Sequence, residues 1–290
     1  MARARNDVNM KGQGIEAYII VFGVIILLSL LFIMRKNYTH HVGKLSVKVG
    51  NGQTIGRRKE QDDYFSTASN SNGTIAVLAD GISGLKNGRM SSTVAVNTFI
   101  QEFLKLEQLG NIELFFQKTA IQSNNEIVHQ LKGTSGGTTL VAALIDQQDY
   151  LHWAAVGDSV ITIFRDGEFI TVNQKQTFET VLTERYLSGE ISEAEVQGNP
   201  FKKRLINYLG YEEFKNVEIG RDPTKLKKGD KVCLYSDGVY NSLTEMEMER
   251  LLTQKLPPYD VAQKIIEAVE QKRLKNQDNA TIVILETTNA

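Results

Sequence analysis

The chain is 290 residues long, 41% hydrophobic and 23% charged with 23 glycines, an ordinary globular composition with room for one large or two small domains. Thirty-three Lys and Arg against 34 Asp and Glu leave a formal net charge of -1, so no basic excess points toward nucleic acid and no acidic excess toward a disordered tail. Cys233 is the sole cysteine, so there is no disulfide scaffold.

Residues 17–34 (AYIIVFGVIILLSLLFIM) carry no charge. As a helix they would reach about 27 Å, close to the ~30 Å hydrocarbon core of a bilayer. The run exceeds a signal-peptide core and ends in Ile33, Met34, Arg35 and Lys36 instead of small residues at a cleavage site. A single membrane span is therefore expected over 17–34, after a short segment 1–16 and before a juxtamembrane linker 35–44. Arg3, Arg5 and Lys11 precede it and Arg35, Lys36, Lys44 and Lys48 follow, a slight bias toward a cytoplasmic C-terminal portion.

Residues 45–290 read as one soluble domain without repeats or low-complexity stretches, and with only four prolines in the chain. Strand-like runs fall at Thr74 to Ala79, Leu140 to Ile145, Leu151 to Val156, Val160 to Phe164, Lys231 to Tyr235 and Thr281 to Leu285. Helical spacing appears over Ser91 to Leu106, Ile112 to Leu131 and Val261 to Lys272. Strands in clusters and helices in pairs predict a layered α+β domain rather than a regular βαβ repeat.

Three strand-like runs end in Asp, at Asp80-Gly81, Gly157-Asp158 and Asp237-Gly238, and Asp278 sits just before the last strand. A lone Asp-Gly is a common hairpin turn, but four such carboxylates can converge on one end of a sheet, where hard oxygen donors suit Mg²⁺ or Mn²⁺. Zinc is not expected, since His40, His41, His129, His152 and Cys233 form no ligand-spaced cluster. In Arg57-Arg58-Lys59-Glu60-Gln61-Asp62-Asp63 a guanidinium could clamp a phosphate while a carboxylate orients water. The stretch GTSGGTT (133–139) lacks the ending of a P-loop and reads as a turn entering a buried strand. No Ser, His and Asp set is evident, so serine nucleophile chemistry has little support.

In this order the elements resemble the metal-dependent Ser/Thr protein phosphatases of the PP2C (PPM) family, bacterial type. The matching segments are GRRKEQDDYF, VLADGISGLKNGRMSS, GTTLVAALI, AVGDSVITIFRDGEF, NPFKKRLINYLG, LKKGDKVCLYSDGVYNSLTEMEM and QDNATIVILE, together covering about 45–290. The resemblance implies a four-layer α/β/β/α sandwich with two central antiparallel sheets. It further implies that Asp80 bridges two Mn²⁺ or Mg²⁺ ions, with Gly81 contributing its carbonyl oxygen. Asp237 and Asp278 would complete the first metal, Asp62 would hold metal-bound water, Arg57 would bind the substrate phosphate, and Asp158 would serve a third, weaker metal. The implied partners are proteins phosphorylated on Ser or Thr and an opposing Ser/Thr kinase.

Four departures stand out: Glu60 in place of Asn, Ile82 where some members carry a histidine, Val160 in place of Arg, and Val172 to Glu179 without the usual Asp-His pair. They motivate a second reading, a catalytically inactive pseudophosphatase serving as a membrane-anchored binding or sensing module. A two-metal nuclease fits the carboxylates but lacks a basic stripe. The expected whole is a single-pass protein of the cell membrane, its phosphatase domain cytoplasmic.

Overall fold

The structure is a computed structural model and describes residues 20–32, 47–82, 85–214 and 216–288. The chain divides into two compact units, Met1–Leu45 and Ser46–Ala290. In the first, residues 20–32 form helix α1, on which the large apolar side chains, Ile20 and Phe32 among them, are exposed. The rest of the span expected over 17–34 lies outside the described residues, as do segments 1–16 and 35–44. Among the described residues no helix is long and apolar enough to cross a membrane.

The second unit contains two antiparallel sheets. One has the order β1 (Val47–Thr54), β11 (Ala280–Thr287), β10 (Lys231–Tyr235), β6 (Val160–Arg165), β7 (Glu168–Thr171). The other runs β2 (Tyr64–Asn70), β3 (Gly73–Ala79), β4 (Leu140–Asp146), β5 (Tyr150–Val156), β8 (Glu218–Ile219), with β9 (Thr224–Lys225) also paired to β5. Helices α2 (Gly88–Leu104) and α3 (Ile112–Leu131) accompany the second sheet, α7 (Glu245–Leu252) and α8 (Pro258–Gln271) the first.

Three apolar clusters fix the layering, because a strand buried on both faces sends alternate side chains to opposite sides. From β3, Ile75, Val77 and Ala79 pack with Phe99 and Phe116 of α2 and α3, whereas Ala76 and Leu78 meet Val283 and Leu285 of β11 between the sheets. From β11 in turn, Ile282 and Ile284 pack against Val261, Ile265 and Val269 of α8. Three interfaces make four layers, helices, sheet, sheet, helices, and the expected two-sheet architecture is present. Each fully buried Leu, Ile or Phe contributes roughly 1.5–3 kcal/mol.

Helix ends follow local chemistry. Asn111 caps α3 by accepting from the Leu114 amide at 2.9 Å, and Thr244 with Glu247 forms a capping box at the start of α7. Strand β1 (VKVGNGQT) was absent from the predicted elements; at Gly50 a Cβ would overlap the backbone of Pro258, so its glycines let α8 lie directly on the strand. Between β7 and β8 the chain makes a peripheral excursion with α4 (Phe178–Leu187) and α5 (Glu193–Gly198).

Candidate active site

The antiparallel order places the C-terminal ends of β3, β5 and β10 and the N-terminal end of β11 at one edge of the sandwich. Asp80 follows β3, Asp158 occupies the β5–β6 turn, Asp237 opens the short helix α6 (Asp237–Tyr240), and Asp278 precedes β11. All four line one cavity of about 380 Å³. Gly81 is buried, and a Cβ there would lie 2.5 Å from the Gly88 carbonyl carbon and 2.9 Å from the Asp62 carbonyl oxygen, so the Asp-Gly pair serves close packing as well as a turn.

The GTSGGTT stretch turns out to hold Asp80 in place. Thr139 donates its amide to the Asp80 carbonyl at 2.8 Å and accepts the Asp80 amide on its hydroxyl at 3.0 Å, while the Thr138 hydroxyl donates to the same carbonyl at 2.8 Å. With its backbone thus satisfied, Asp80 is free to turn its carboxylate to the cavity.

In the Arg-Asp loop the sequence permits two frames of equal spacing, Arg57 with Asp62 and Arg58 with Asp63, and the structure separates them. The β2–β3 register pairs Tyr64 with Ala79, which sets Asp63 opposite Asp80. Asp63 is buried and accepts the hydroxyls of Ser236 and Thr281, both at 2.7 Å, on one carboxylate oxygen; its other oxygen, Oδ1, has no hydrogen-bond partner. Asp62 lies half-buried at the loop, its amide bonded to the Asn279 side chain at 2.8 Å. Both arginines are exposed and neither lines the cavity; the Arg58 guanidinium pairs with Asp278 at 2.5 Å, and Arg57 bonds Gln277 through its backbone at 2.9 Å. Asp63 does not stand out in the sequence, because the hydroxyls that hold it, on Ser236 and Thr281, lie far along the chain.

Burial and, after it, mutual repulsion raise the carboxyls of the cluster. Burial first, then Asp63, Asp237, Asp158 and Asp278, push the Asp80 carboxyl well above the usual carboxylate range. Asp237 is pushed up to about 7 by burial and by Asp278 and Asp158, and Asp63 to about 6 by burial, offset by the Thr281 and Ser236 hydroxyls. Asp158 is raised by burial, partly offset by the Tyr240 hydroxyl, which donates to it at 3.1 Å. So many carboxylates cannot all ionise together without a compensating cation.

The donor set bears on which cation. Among the described residues no three His, Cys, Asp or Glu side chains are gathered into a group that could hold a metal ion. The carboxylates instead line a cavity with room for water, and Mg²⁺ and Mn²⁺ ions, unlike structural zinc, keep several water ligands and use few protein oxygens. All-oxygen donors, mutual repulsion and the unpartnered Asp63 oxygen together fit hydrated hard cations.

The remaining wall is apolar and basic. Ile82, Leu205 and Tyr208 face the cavity with Lys203 and Arg204 of the peripheral excursion. Ile82 has no protonatable group, so it cannot act as an acid there.

A two-sheet sandwich with an acidic cavity at one edge and a basic rim is the arrangement expected of a metal-dependent hydrolase acting on an anionic substrate. The protein phosphatase 2C family profile matches residues 53–277, and the chain belongs to that family. The serine/threonine phosphatase stp of Listeria innocua is 30% identical over 219 residues, 73% of this chain and 84% of its own. Among solved structures, the S. agalactiae serine/threonine phosphatase superposes with a TM-score of 0.73 at 23% identity, covering 83% of this chain and 99% of that one. The catalytic domain of the serine threonine protein phosphatase PstP in complex with 2 manganese ions superposes at 0.67 and 21% identity, covering 84% and 99%.

Proposed function

We propose that this protein is a membrane-anchored, Mn²⁺- or Mg²⁺-dependent phosphatase that hydrolyses phosphoserine and phosphothreonine on other proteins. The observation that carries the reading is the convergence of Asp80, Asp158, Asp237 and Asp278, from four separate segments, on one cavity. Asp80, Asp237 and Asp278, with the Gly81 carbonyl, would hold the principal pair of ions, Asp158 a third and weaker one, and Asp62 a bound water. When present, the ions lower the pKa of a water and neutralise charge on the phosphoryl oxygens during in-line attack.

The chain's own groups orient these parts. The Thr138 and Thr139 bonds fix the backbone of Asp80. Asn241 donates to Asp237 at 3.1 Å and holds its carboxylate from outside the cavity. Arg57 remains the guanidinium that the resemblance assigns to the phosphate, but Arg58 is the one already beside the carboxylates. Its approach to Asp278 favours Arg58 for that role, through a swing of the guanidinium from carboxylate to phosphate oxygens. Leaving-group protonation has no side-chain acid at Ile82 and falls to water.

Anchoring rests on the uncharged run 17–34 and on the exposed apolar side chains of residues 20–32. A cytoplasmic catalytic unit would find phosphoproteins and an opposing kinase there, with Cys233 kept reduced. The pseudophosphatase reading draws on one observation, the Arg58–Asp278 ion pair, which occupies a proposed metal ligand. Release of phosphate from a phosphothreonine peptide in Mn²⁺, with no cleavage of a single-stranded oligonucleotide, is the expected result. A folded protein without phosphatase activity supports the inactive module, and oligonucleotide cleavage supports the nuclease. Extraction of the full chain from membranes by alkaline carbonate would refute the anchor.

A further inference from the structure

The basic rim of the cavity comes from Phe201-Lys202-Lys203-Arg204-Leu205-Ile206, a segment otherwise unexplained by hydrolysis. Lys203 and Arg204 line the cavity shared with the four aspartates. Neither has an ion-pair partner among the described residues, and the polar contact of the Lys203 ammonium is the Asn241 amide oxygen at 3.4 Å.

Their position is fixed by backbone bonds rather than by a core. Phe178 donates to the Arg204 carbonyl at 2.8 Å, Glu179 to that of Lys202 at 2.7 Å, and Ile206 donates to that of Gln176 at 3.0 Å. Gln176 is itself tied to the turn carrying Asp158. Its amide bonds the Gly157 carbonyl at 2.9 Å, and the Gly157 amide bonds its side-chain oxygen at 2.9 Å. Asn207 donates to the same side-chain oxygen at 2.7 Å. Phe201, 62% exposed, and Ile206, 49% exposed, bracket the pair, so the strip presents charge between two solvated apolar side chains.

We infer that Lys203 and Arg204 form a subsite for a second anionic group on the substrate, a carboxylate or further phosphate flanking the phosphorylated residue, so that this phosphatase prefers acidic phosphopeptides. The inference rests on the phosphatase reading for the scissile group. A cation pair pre-placed at the mouth binds a flanking anion with little ordering cost and also steers its approach. The scissile phosphate would be a separate anion, held by ions at the carboxylates.

The test is binding of non-hydrolysable phosphonate analogues of a phosphothreonine peptide to the full chain in Mn²⁺, one flanked by glutamates and one by glutamines. At low salt the glutamate peptide should bind about tenfold tighter, about 1.4 kcal/mol. The double variant Lys203→Ala/Arg204→Ala should reduce that ratio to below about twofold, Lys203→Arg/Arg204→Lys should keep it, and added salt should shrink it. Equal affinity of the unaltered chain for both peptides overturns the inference. So does equal weakening of both peptides in the double variant, which would place the cations on the scissile phosphate. Hydrolysis of the parent phosphopeptides is scored separately: its absence removes the phosphatase reading, while the binding ratio still decides the subsite.

Discussion

The sheet edge and the peripheral excursion supply the two sides of one cavity in physically different ways. Asp80, Asp158, Asp237 and Asp278 extend from strands whose neighbours are fully buried, such as Ala79, Val156 and Leu234. Lys203 and Arg204 ride on a segment with few buried side chains, Leu182, Val196 and Leu209 among them, held mainly by hydrogen bonds. Groups that must stay in register for chemistry are built on the rigid layers, and groups that meet a variable partner on the adaptable one.

The sharpest way to break this contrast is to remove a strand-end carboxylate. Asp80→Asn should lower Mn²⁺-dependent turnover by about 100- to 1000-fold, with the fold intact by circular dichroism. Near-normal turnover in the folded variant would separate the cluster from catalysis. The layers themselves should be costly to damage: Phe99, fully buried between α2, α3 and the second sheet, should cost about 3–5 kcal/mol on Phe99→Ala in denaturant unfolding. A comparable truncation on the excursion, Leu187→Ala at a side chain 77% exposed, should stay within about 0.5 kcal/mol.

Between these lies the arginine loop. Arg58→Ala should reduce kcat/KM for a phosphopeptide by about tenfold, through lost charge beside the phosphate, and Arg57→Ala by less than about twofold. The reverse ranking would restore the frame containing Arg57 and Asp62.

The smallest effect is on stability against pH. Asp63 and Asp237 are pushed up to about 6 and about 7 in the folded chain, against an ordinary value of 3.8. The folded state therefore binds protons more tightly than the unfolded one. Stability of the metal-free chain should fall as pH rises from about 4 through about 7. Thermal melts in EDTA should give a higher Tm at pH 5 than at pH 8, and Mn²⁺ should flatten or reverse the slope, because it binds the ionised carboxylates. A metal-free Tm that rises over this range would contradict the raised values.

Much of this is legible in the sequence alone. The continuous apolar runs of β3 and β10 mark doubly buried strands, with Asp80 and Asp237 at their ends, and Asp158 follows the apolar end of β5. Other parts depend on partners distant in sequence. Asp63 is set by its β3 register and by Ser236 and Thr281, more than 170 residues away. Strand β1 reads as a glycine-bearing loop until α8 covers it. Lys203 and Arg204 look like an ordinary solvated charge run, and only the Gln176 and Phe178 bonds bring them to the cavity.

The central claim is that the strand-end carboxylates act by gathering divalent cations around a phosphate ester. Its most direct test is phosphate release from a phosphothreonine peptide by the full chain, titrated with Mn²⁺ and then with EDTA. A saturable rise with Mn²⁺ that EDTA returns to baseline is the result expected from the site. Release at the same rate in excess EDTA, or none at any Mn²⁺ concentration by a folded chain, would contradict it.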